Sequence, residues 1–376
     1  MRSVLIVGRT RYRLPLDPSL ARKFDALKQV LDVRVIGSAP AGSPTGDETF
    51  RLVPPLRVRK LDGLAFHLGL AARAAAELRS FRPDAVLVQG AHEAAAVLAG
   101  RALARSDTKL ILDIHGDWRT ATRLYGSPSR RLLNPLADRL ATFALRRADA
   151  IRTVSDYTTG LVREAGAEPA AVFPAFMDLG PFLDPPVPLP ERPTALFIGV
   201  LELYKNIDRL ALAWRQAAPQ VPDACLHLVG RGSRTDVVEG LVRDLPEQTR
   251  WTPQLDIAGI AAALDAASAL VLPSRSEGMG RVIVESLCRG RPVLGSRVGG
   301  IRDLVRDGEN GLLVEPTVDE IAAGLVRLLG DRSELERLAA AARPSVEPWI
   351  ASDSDYAERV AALVEQVAGR GLDLAP

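Results

Sequence analysis

The sequence predicts an α/β protein of two doubly wound, largely parallel sheets, one in each half of the chain. Three observations carry that expectation. Short apolar runs alternate with helix-period segments through residues 1–178, the pattern βα units give when a sheet is covered on both faces. Residues 179–193, LGPFLDPPVPLPERP, hold six prolines and little periodic pattern, as a semi-rigid linker would. A second alternation occupies residues 194–345, and 376 residues suffice for two domains that each bury a sizeable core.

In the first half, Ser3–Gly8 reads as a strand and Gly8-Arg9-Thr10-Arg11 as the loop after it. Ser19–Val30 is helical, with Leu20, Phe24, Leu27 and Val30 on one face, and Val33–Ile36 is the next strand. Ser38–Pro55, rich in Gly, Pro, Ser and Thr, reads as irregular loop. Leu64–Phe81 is an alanine-rich helix and Ala85–Gln89 a strand. Ala94–Arg105 is a helix, Lys109–Ile114 a strand, Leu132–Ala148 a helix and Ala150–Val154 a strand. Past the prolines come strand Thr194–Gly199, helix Ile207–Gln216, strand Cys225–Val229 and a segment Leu255–Ala267. Helices Val318–Gly330 and Ser333–Ala342 follow, and Ser354–Val367 is the last helix, within a tail of residues 346–370.

Composition narrows the class. A hydrophobic content of 47% with 25% charged residues is ordinary for a soluble globular chain. Two cysteines, Cys225 and Cys288, both in expected core elements, indicate no disulfide framework. MRSVLIVG reads as a first strand, too short for a secretory core, and no apolar stretch approaches a membrane span, so a cytoplasmic protein is expected. Net charge is +2, unevenly divided: 27 Lys+Arg against 18 Asp+Glu in residues 1–180, and 21 against 28 in residues 181–376. A basic first half fits either a biased arginine usage or an anionic partner such as a membrane surface. No basic module of a nucleic-acid-binding type is present, and no His/Cys/Asp spacing marks a metal site.

The chemistry concentrates in residues 273–316. An apolar run, Ala269–Leu272, ends in the turn Pro273-Ser274-Arg275-Ser276, then Glu277-Gly278-Met279-Gly280 opens a helix with Val282, Val284, Leu287 and Cys288 apolar. Gly290 can stop that helix in the left-handed conformation, and Pro292-Val293-Leu294-Gly295 reads as a strand. Backbone without Cβ at Gly278 and Gly280 admits a bulky group, and the first amides near Arg281 and Val282 suit a phosphate. Carboxylates repel phosphate but accept well from sugar hydroxyls, so Glu277 and Glu285 beside that helix start suit a nucleotide-sugar. The alternative is a capping Glu277 and a solvated Glu285.

Glu277-x7-Glu285, with Gly278-Met279-Gly280 inside it and Gly290-Arg291-Pro292-Val293 after it, resembles the donor signature of the retaining glycosyltransferases of family four. Val298-Gly299-Gly300-Ile301, Asp307-Gly308, Asn310-Gly311-Leu312-Leu313-Val314 and Pro316 continue the pattern in order. The resemblance covers most of residues 85–370 and is thin from Thr10 to Arg79. It implies the GT-B architecture: two Rossmann-like domains facing a central cleft, with the last helix returning to the first domain. It implies an NDP-sugar donor, a carbohydrate or lipid-linked acceptor, no cofactor and no metal.

It also implies roles. Gly199 and Lys205 resemble the diphosphate grip, although Val200 stands where the family has Arg, a loss of about 1.5–3 kcal/mol of charge-assisted contact. Arg231, Arg9 and Arg11 are the candidates to replace it. Gly230-Arg231-Gly232 resembles the turn at the nucleotide, and Thr235 breaks any GxGxxG fingerprint, against a dinucleotide oxidoreductase. His115, at the tip of the Lys109–Ile114 strand, matches a histidine that contacts the donor sugar, with Glu277 beside it as the catalytic pair. Gly8, Gly278, Met279, Gly280, Arg281, Val282 and Glu285 complete the expected donor contacts. Thr153-Val154-Ser155 and Phe173-Pro174 are read as architectural.

Two other readings stay open at this point: an NDP-sugar 2-epimerase of the same fold, and a degenerate non-catalytic scaffold, for which Val200 is a sign. Last, Arg119, Arg123, Arg130, Arg131, Arg139, Arg146 and Arg147 crowd residues 118–148, with Trp118, Leu124, Tyr125, Leu132 and Leu133 among them. That stretch is either a solvated face or a contact with an anionic surface at the inner side of the cell membrane.

Overall fold

The computed structural model describes residues 1–56, 62–119 and 134–369. The chain divides into two compact units, Met1–Phe176 with Ala351–Pro376, and Met177–Ile350.

In the first unit the elements are β1 (Arg2–Arg11), α1 (Pro18–Val30), β2 (Leu31–Ser38), β3 (Phe50–Val53), α2 (Asp62–Ser80), β4 (Ala85–Gln89) and α3 (Ala91–Ala104). Then come β5 (Lys109–Ile114), α4 (Asn134–Arg147), β6 (Ala150–Thr153), α5 (Asp156–Glu164) and β7 (Ala171–Val172). Its seven strands are ordered β3-β2-β1-β4-β5-β6-β7 and pair in parallel, with Val4 opposite Val33 on one side and Ala85 on the other. The order reverses between β1 and β4, the position where open α/β sheets leave a crevice. Because β1 is central, both its faces are covered: Val4 and Ile6 join one core with Phe24, Leu27 and Phe50, while Leu5 and Val7 join the other with Phe66 and Leu70.

The last helix, α13 (Asp353–Gly369), belongs to this unit. It buries Tyr356, Val360, Leu363, Val364 and Val367 in the core that α1 closes. Each aliphatic side chain so buried is worth about 1.5–3 kcal/mol.

The second unit runs β8 (Thr194–Ile198), α6 (Ile207–Ala217), β9 (Cys225–Val229), α7 (Thr235–Asp244), β10 (Thr249–Thr252), α8 (Ile257–Asp265) and β11 (Ala269–Leu272). It continues with α9 (Arg281–Cys288), β12 (Val293–Ser296), α10 (Ile301–Leu304), β13 (Gly311–Val314), α11 (Val318–Gly330) and α12 (Arg332–Val346). Six parallel strands are ordered β10-β9-β8-β11-β12-β13, so the reversal falls between β8 and β11.

Two expectations need correction. Ser38–Pro55 is not all loop: β3 lies within it, an edge strand whose Phe50 and Leu52 alternate inward over too few residues to stand out among Gly and Pro. Gly8 lies inside β1, which extends to Arg11 and returns to β2 through a register shift, so the expected Gly8–Arg11 loop is strand. The proline-rich segment, read as a semi-rigid linker, is fastened along one side. Its carbonyls, left without amide partners where proline has no N–H, accept from arginines of the second unit. Arg289 donates to Asp184 O at 3.1 Å, Arg291 to Val187 O at 2.9 Å, Arg332 to Pro190 O at 2.7 Å and Arg343 to Leu183 O at 3.1 Å.

Candidate functional site

At the reversal point of the second sheet, the turns after β8 and β11 come together. The single helical turn Leu203–Lys205 ends at Asn206, a buried residue at φ +63°, a region asparagine enters more readily than most side chains. Asn206 is held from two sides: its Oδ1 accepts from Arg275 Nε at 2.7 Å and its Nδ2 donates to Pro316 O at 3.2 Å. Arg275 also donates its backbone N–H to Tyr204 O at 2.7 Å and its Nη2 to Asp208 at 2.6 Å. This fastening aims Lys205, whose Nζ is ion-paired with Glu277 Oε2 and lies 5.3 Å from the Tyr204 ring centroid.

The loop that presents Glu277 is backed by the Gly299-Gly300 turn. Gly300 N–H donates to Glu277 O at 2.9 Å, and a Cβ on Gly300 would stand 2.0 Å from Gly278 O. Only backbone fits there. Gly280, at φ +77°, starts α9, and a Cβ on it would meet Ile283 Cδ1 at 2.9 Å. The first amides of α9 have no acceptor within the helix and are open to an anion. Arg281 is exposed, Val282 half-buried and Met279 buried, so Met279 can meet a ligand only through its backbone.

Glu285 follows on the second turn of α9, half-buried, and its carboxylate has no hydrogen-bond partner among the described residues. Burial pushes its carboxyl above the usual range; Arg281 opposes that and Asp178 adds to it. A desolvated acceptor without a donor suits hydroxyl groups arriving with a ligand. On the neighbouring turns, Gly199 N–H donates to Val229 O at 3.0 Å and Leu201 N–H to Arg231 O at 3.0 Å, so the Gly199 and Gly230-Arg231 segments are laced side by side. Arg231 is exposed and without an ion pair among the described residues, and Val200 is 47% exposed.

In the first unit, His115 sits past the end of β5 with its side chain 42% exposed. Its Nε2 is 2.7 Å from Asp113 Oδ2, and the other carboxylate oxygen of the fully buried Asp113 accepts from Arg152 Nη1 at 2.7 Å. Arg152, also fully buried, donates Nη2 to Phe173 O at 2.8 Å and Pro174 O at 2.5 Å and stacks 4.0 Å from the Phe173 ring centroid. Burial pushes the Asp113 carboxyl up, but Arg152 and His115 outweigh it and hold it well below the usual carboxylate range.

The structure thus places Lys205 in contact with Glu277, sets Gly278–Val282 and Glu285 directly after them, and brings Gly199, Gly230 and Arg231 onto adjoining turns. Gly8 and His115 belong to the other unit. Gly8 is buried, and a Cβ on it would stand 2.9 Å from Gln89 Oε1. Sequence reasoning did not single out Arg275, Asn206, Asp113 or Arg152 for a role. Arg152 carried a signal all the same: it is the charged residue inside a four-residue strand, Ala150–Thr153, with every residue buried.

The fold and this site define a class. Over 98% of the chain and 100% of the other, the structure superposes on sucrose-phosphate synthase from Thermosynechococcus elongatus with a TM-score of 0.79 at 18% identity. It also matches Anabaena HepE in complex with UDP-glucose, TM-score 0.69 at 16% identity, covering 100% of both chains. These likenesses show the GT-B fold. Residues 19–180 match the family described as Glycosyltransferase Family 4, and residues 184–344 the family described as Glycosyl transferases group 1. The chain belongs to the group 1, family 4 glycosyltransferases.

Among curated relatives, sulfoquinovosyl transferase of Arabidopsis thaliana is 29% identical over 164 residues, 43% of this chain and 31% of that protein. The GDP-mannose-dependent alpha-(1-6)-phosphatidylinositol monomannoside mannosyltransferase of Mycolicibacterium smegmatis is 29% identical over 256 residues, 61% of this chain and 66% of that protein. The matched stretches therefore cover from about a third to just under two thirds of these relatives.

Proposed function

We propose that the protein transfers a sugar, with retention of anomeric configuration, from an NDP-sugar to an acceptor hydroxyl in glycoconjugate or polysaccharide synthesis. The observation that carries this reading is the Lys205–Glu277 pair beside the Gly280 start of α9. When donor binds, Lys205 turns to the diphosphate together with the α9 amides, Glu277 is released to the sugar hydroxyls, and Glu285 takes the ribose. For His115 we carry over the sugar contact that the family resemblance implies. The anomeric C–O bond breaks with its electrons going to the diphosphate. The acceptor oxygen bonds to the same face, and its proton passes to the departing phosphate oxygen. No carboxylate nucleophile is assigned, so the step is a front-face substitution rather than a double displacement.

UDP-glucose and GDP-mannose appear in the descriptions of similar proteins and are the first donors to try. A thermal-shift panel of UDP-, GDP- and ADP-sugars, followed by product analysis with and without acceptor, tests the reading, because ligand stabilises the native form by mass action. Donor converted without acceptor would favour the epimerase, and binding without turnover across acceptors would favour a scaffold.

For the acceptor we propose a carbohydrate or a lipid-linked hydroxyl. One surface favours the lipid-linked branch. On α4, Leu136, Leu140 and Phe143 are 57%, 45% and 49% exposed along one face, and Leu103 of the neighbouring α3 is 59% exposed. Arg105, Arg139, Arg146 and Arg147 are exposed around them with no ion pair among the described residues. Apolar side chains rimmed by unpaired arginines match an anionic lipid surface, and the like charges oppose pairing with a second copy. Trp118 is buried and takes no part, while Arg123, Leu124, Tyr125, Arg130, Arg131, Leu132 and Leu133 lie outside the described residues. Among the described residues no helix is long and apolar enough to cross a membrane. Co-sedimentation with anionic but not zwitterionic vesicles at physiological salt is expected; no binding to either would retire the surface.

A further inference from the structure

We infer that Arg152 is a positioning residue for His115: by anchoring Asp113 as an ionised acceptor, it holds the imidazole as its Nε2–H tautomer and leaves Nδ1 as the open edge of the ring. The claim deepens the proposed role of His115 and rests on that role only for its kinetic readout.

An ionised carboxylate can only accept hydrogen bonds. Asp113 spends Oδ1 on Arg152 and Oδ2 on His115, each at 2.7 Å, so the neutral imidazole must place its proton on Nε2. Nδ1 has no hydrogen bond among the described residues and the ring is 42% exposed, which leaves that nitrogen to accept from a ligand hydroxyl.

Arg152 makes this possible in a fully buried place. Without a cation, burial alone would drive Asp113 toward the neutral acid, whose O–H would donate to Nε2 and force the proton onto Nδ1. The arginine is itself immobilised by the carbonyls of Phe173 and Pro174 and by the Phe173 ring. The titratable groups facing this pair are His115 beyond β5, Tyr356 of α13, 5.8 Å from the guanidinium to its ring, and behind it Tyr12. Burial pushes Tyr356 up to about 12, so it stays neutral and does not compete for the arginine.

The chain has four histidines, so ring-labelled histidine gives four resolvable imidazole spin systems, and His115→Gln identifies the one that matters. At a pH where imidazoles are neutral, the wild-type ring nitrogens should report Nε2–H in excess by about tenfold or more. Arg152→Met and Asp113→Asn should each shift that ratio about tenfold toward Nδ1–H, the first through a protonated Asp113 and the second through a donating amide. Arg152→Lys, which keeps the charge, should restore the wild-type pattern. If Arg152→Met does not fold, the Asn and Lys variants still decide. With a working donor and acceptor, kcat of Asp113→Asn should fall about tenfold to a hundredfold with donor KM changed less than about threefold. A ring that keeps Nε2–H in Asp113→Asn, or loses it in Arg152→Lys, overturns the assignment. Tautomer shifts as stated with kcat unmoved would instead remove His115 from the proposed transfer step.

Discussion

Two ion pairs among the described residues, one in each unit, touch the candidate functional positions and are built oppositely. In the first unit, Asp113 and Arg152 are both fully buried, and the arginine has two carbonyl partners and an aromatic face besides its acid. In the second, the side chains of Lys205 and Glu277 keep 12% and 16% of their exposure, and each finds its ion-pair partner in the other. A buried pair cannot exchange partners without stranding a charge in a low-dielectric interior. A pair at the rim can, because an incoming phosphate and hydroxyls replace what each member gives up. On the proposed function, one pair sets geometry and the other opens to the donor.

That contrast fails if the two pairs respond alike to substitution. The largest stability effect is expected at the buried pair: Arg152→Met should cost about 3–5 kcal/mol in denaturant unfolding, since Asp113 is left uncompensated. Its pH dependence has a definite sign. Asp113 is depressed in the folded state, so its contribution is complete above the ordinary carboxylate range near 4 and is lost as pH falls through the lower folded value. The acid-side slope of unfolding free energy should therefore flatten in Asp113→Asn.

Next comes the backbone contact behind Glu277. Gly300→Ala should cost about 1–3 kcal/mol, the usual range for overpacking, and should also weaken donor binding, because the added carbon strikes Gly278 O. Smaller in stability is the partly exposed pair: Lys205→Met should cost less in unfolding than Arg152→Met, because Glu277 keeps some contact with water. Its donor kcat/KM should nevertheless fall at least about tenfold, and unchanged kinetics would end the diphosphate role for Lys205.

Much of the fold could be read in advance because buried parallel strands are short apolar runs. Ala85–Gln89, Lys109–Ile114 and Ala269–Leu272 end where they were expected. What escaped is instructive. Helix α5, DYTTGLVRE, and α7, TDVVEGLVRD, carry glycine and β-branched residues that lower helix propensity, and burial of one face, Leu161 and Val162 in the first and Val238 and Leu241 in the second, makes them helical. Strands β3 and β13 have four residues each and β7 two, and β13, Gly311–Val314, sat inside a run read for its motif.

At the site, the residues proposed to touch a ligand stood out by type and order, Glu277, Gly280 and Glu285 above all. Residues that only aim others did not. Asn206 and Arg275 meet across 69 positions of sequence, and Asp113 and Arg152 across 39. Nothing local marks such partners, apart from the charge of Arg152 within a buried strand. Gly300 was read as part of the family pattern, but only the structure shows that it backs Glu277 and Gly278.

The arginine clasps on the proline-rich segment bear on how this protein can be recombined. A chimera that joins this second unit to a foreign first unit would be naturally spliced just before Thr194 on sequence grounds. Such a splice would import a stranger's carbonyls beneath Arg289, Arg291, Arg332 and Arg343, four guanidiniums cut to fit residues 183–190 of this chain. Seams at Phe176/Met177 and at Ile350/Ala351 keep those guanidiniums with the peptide they grip.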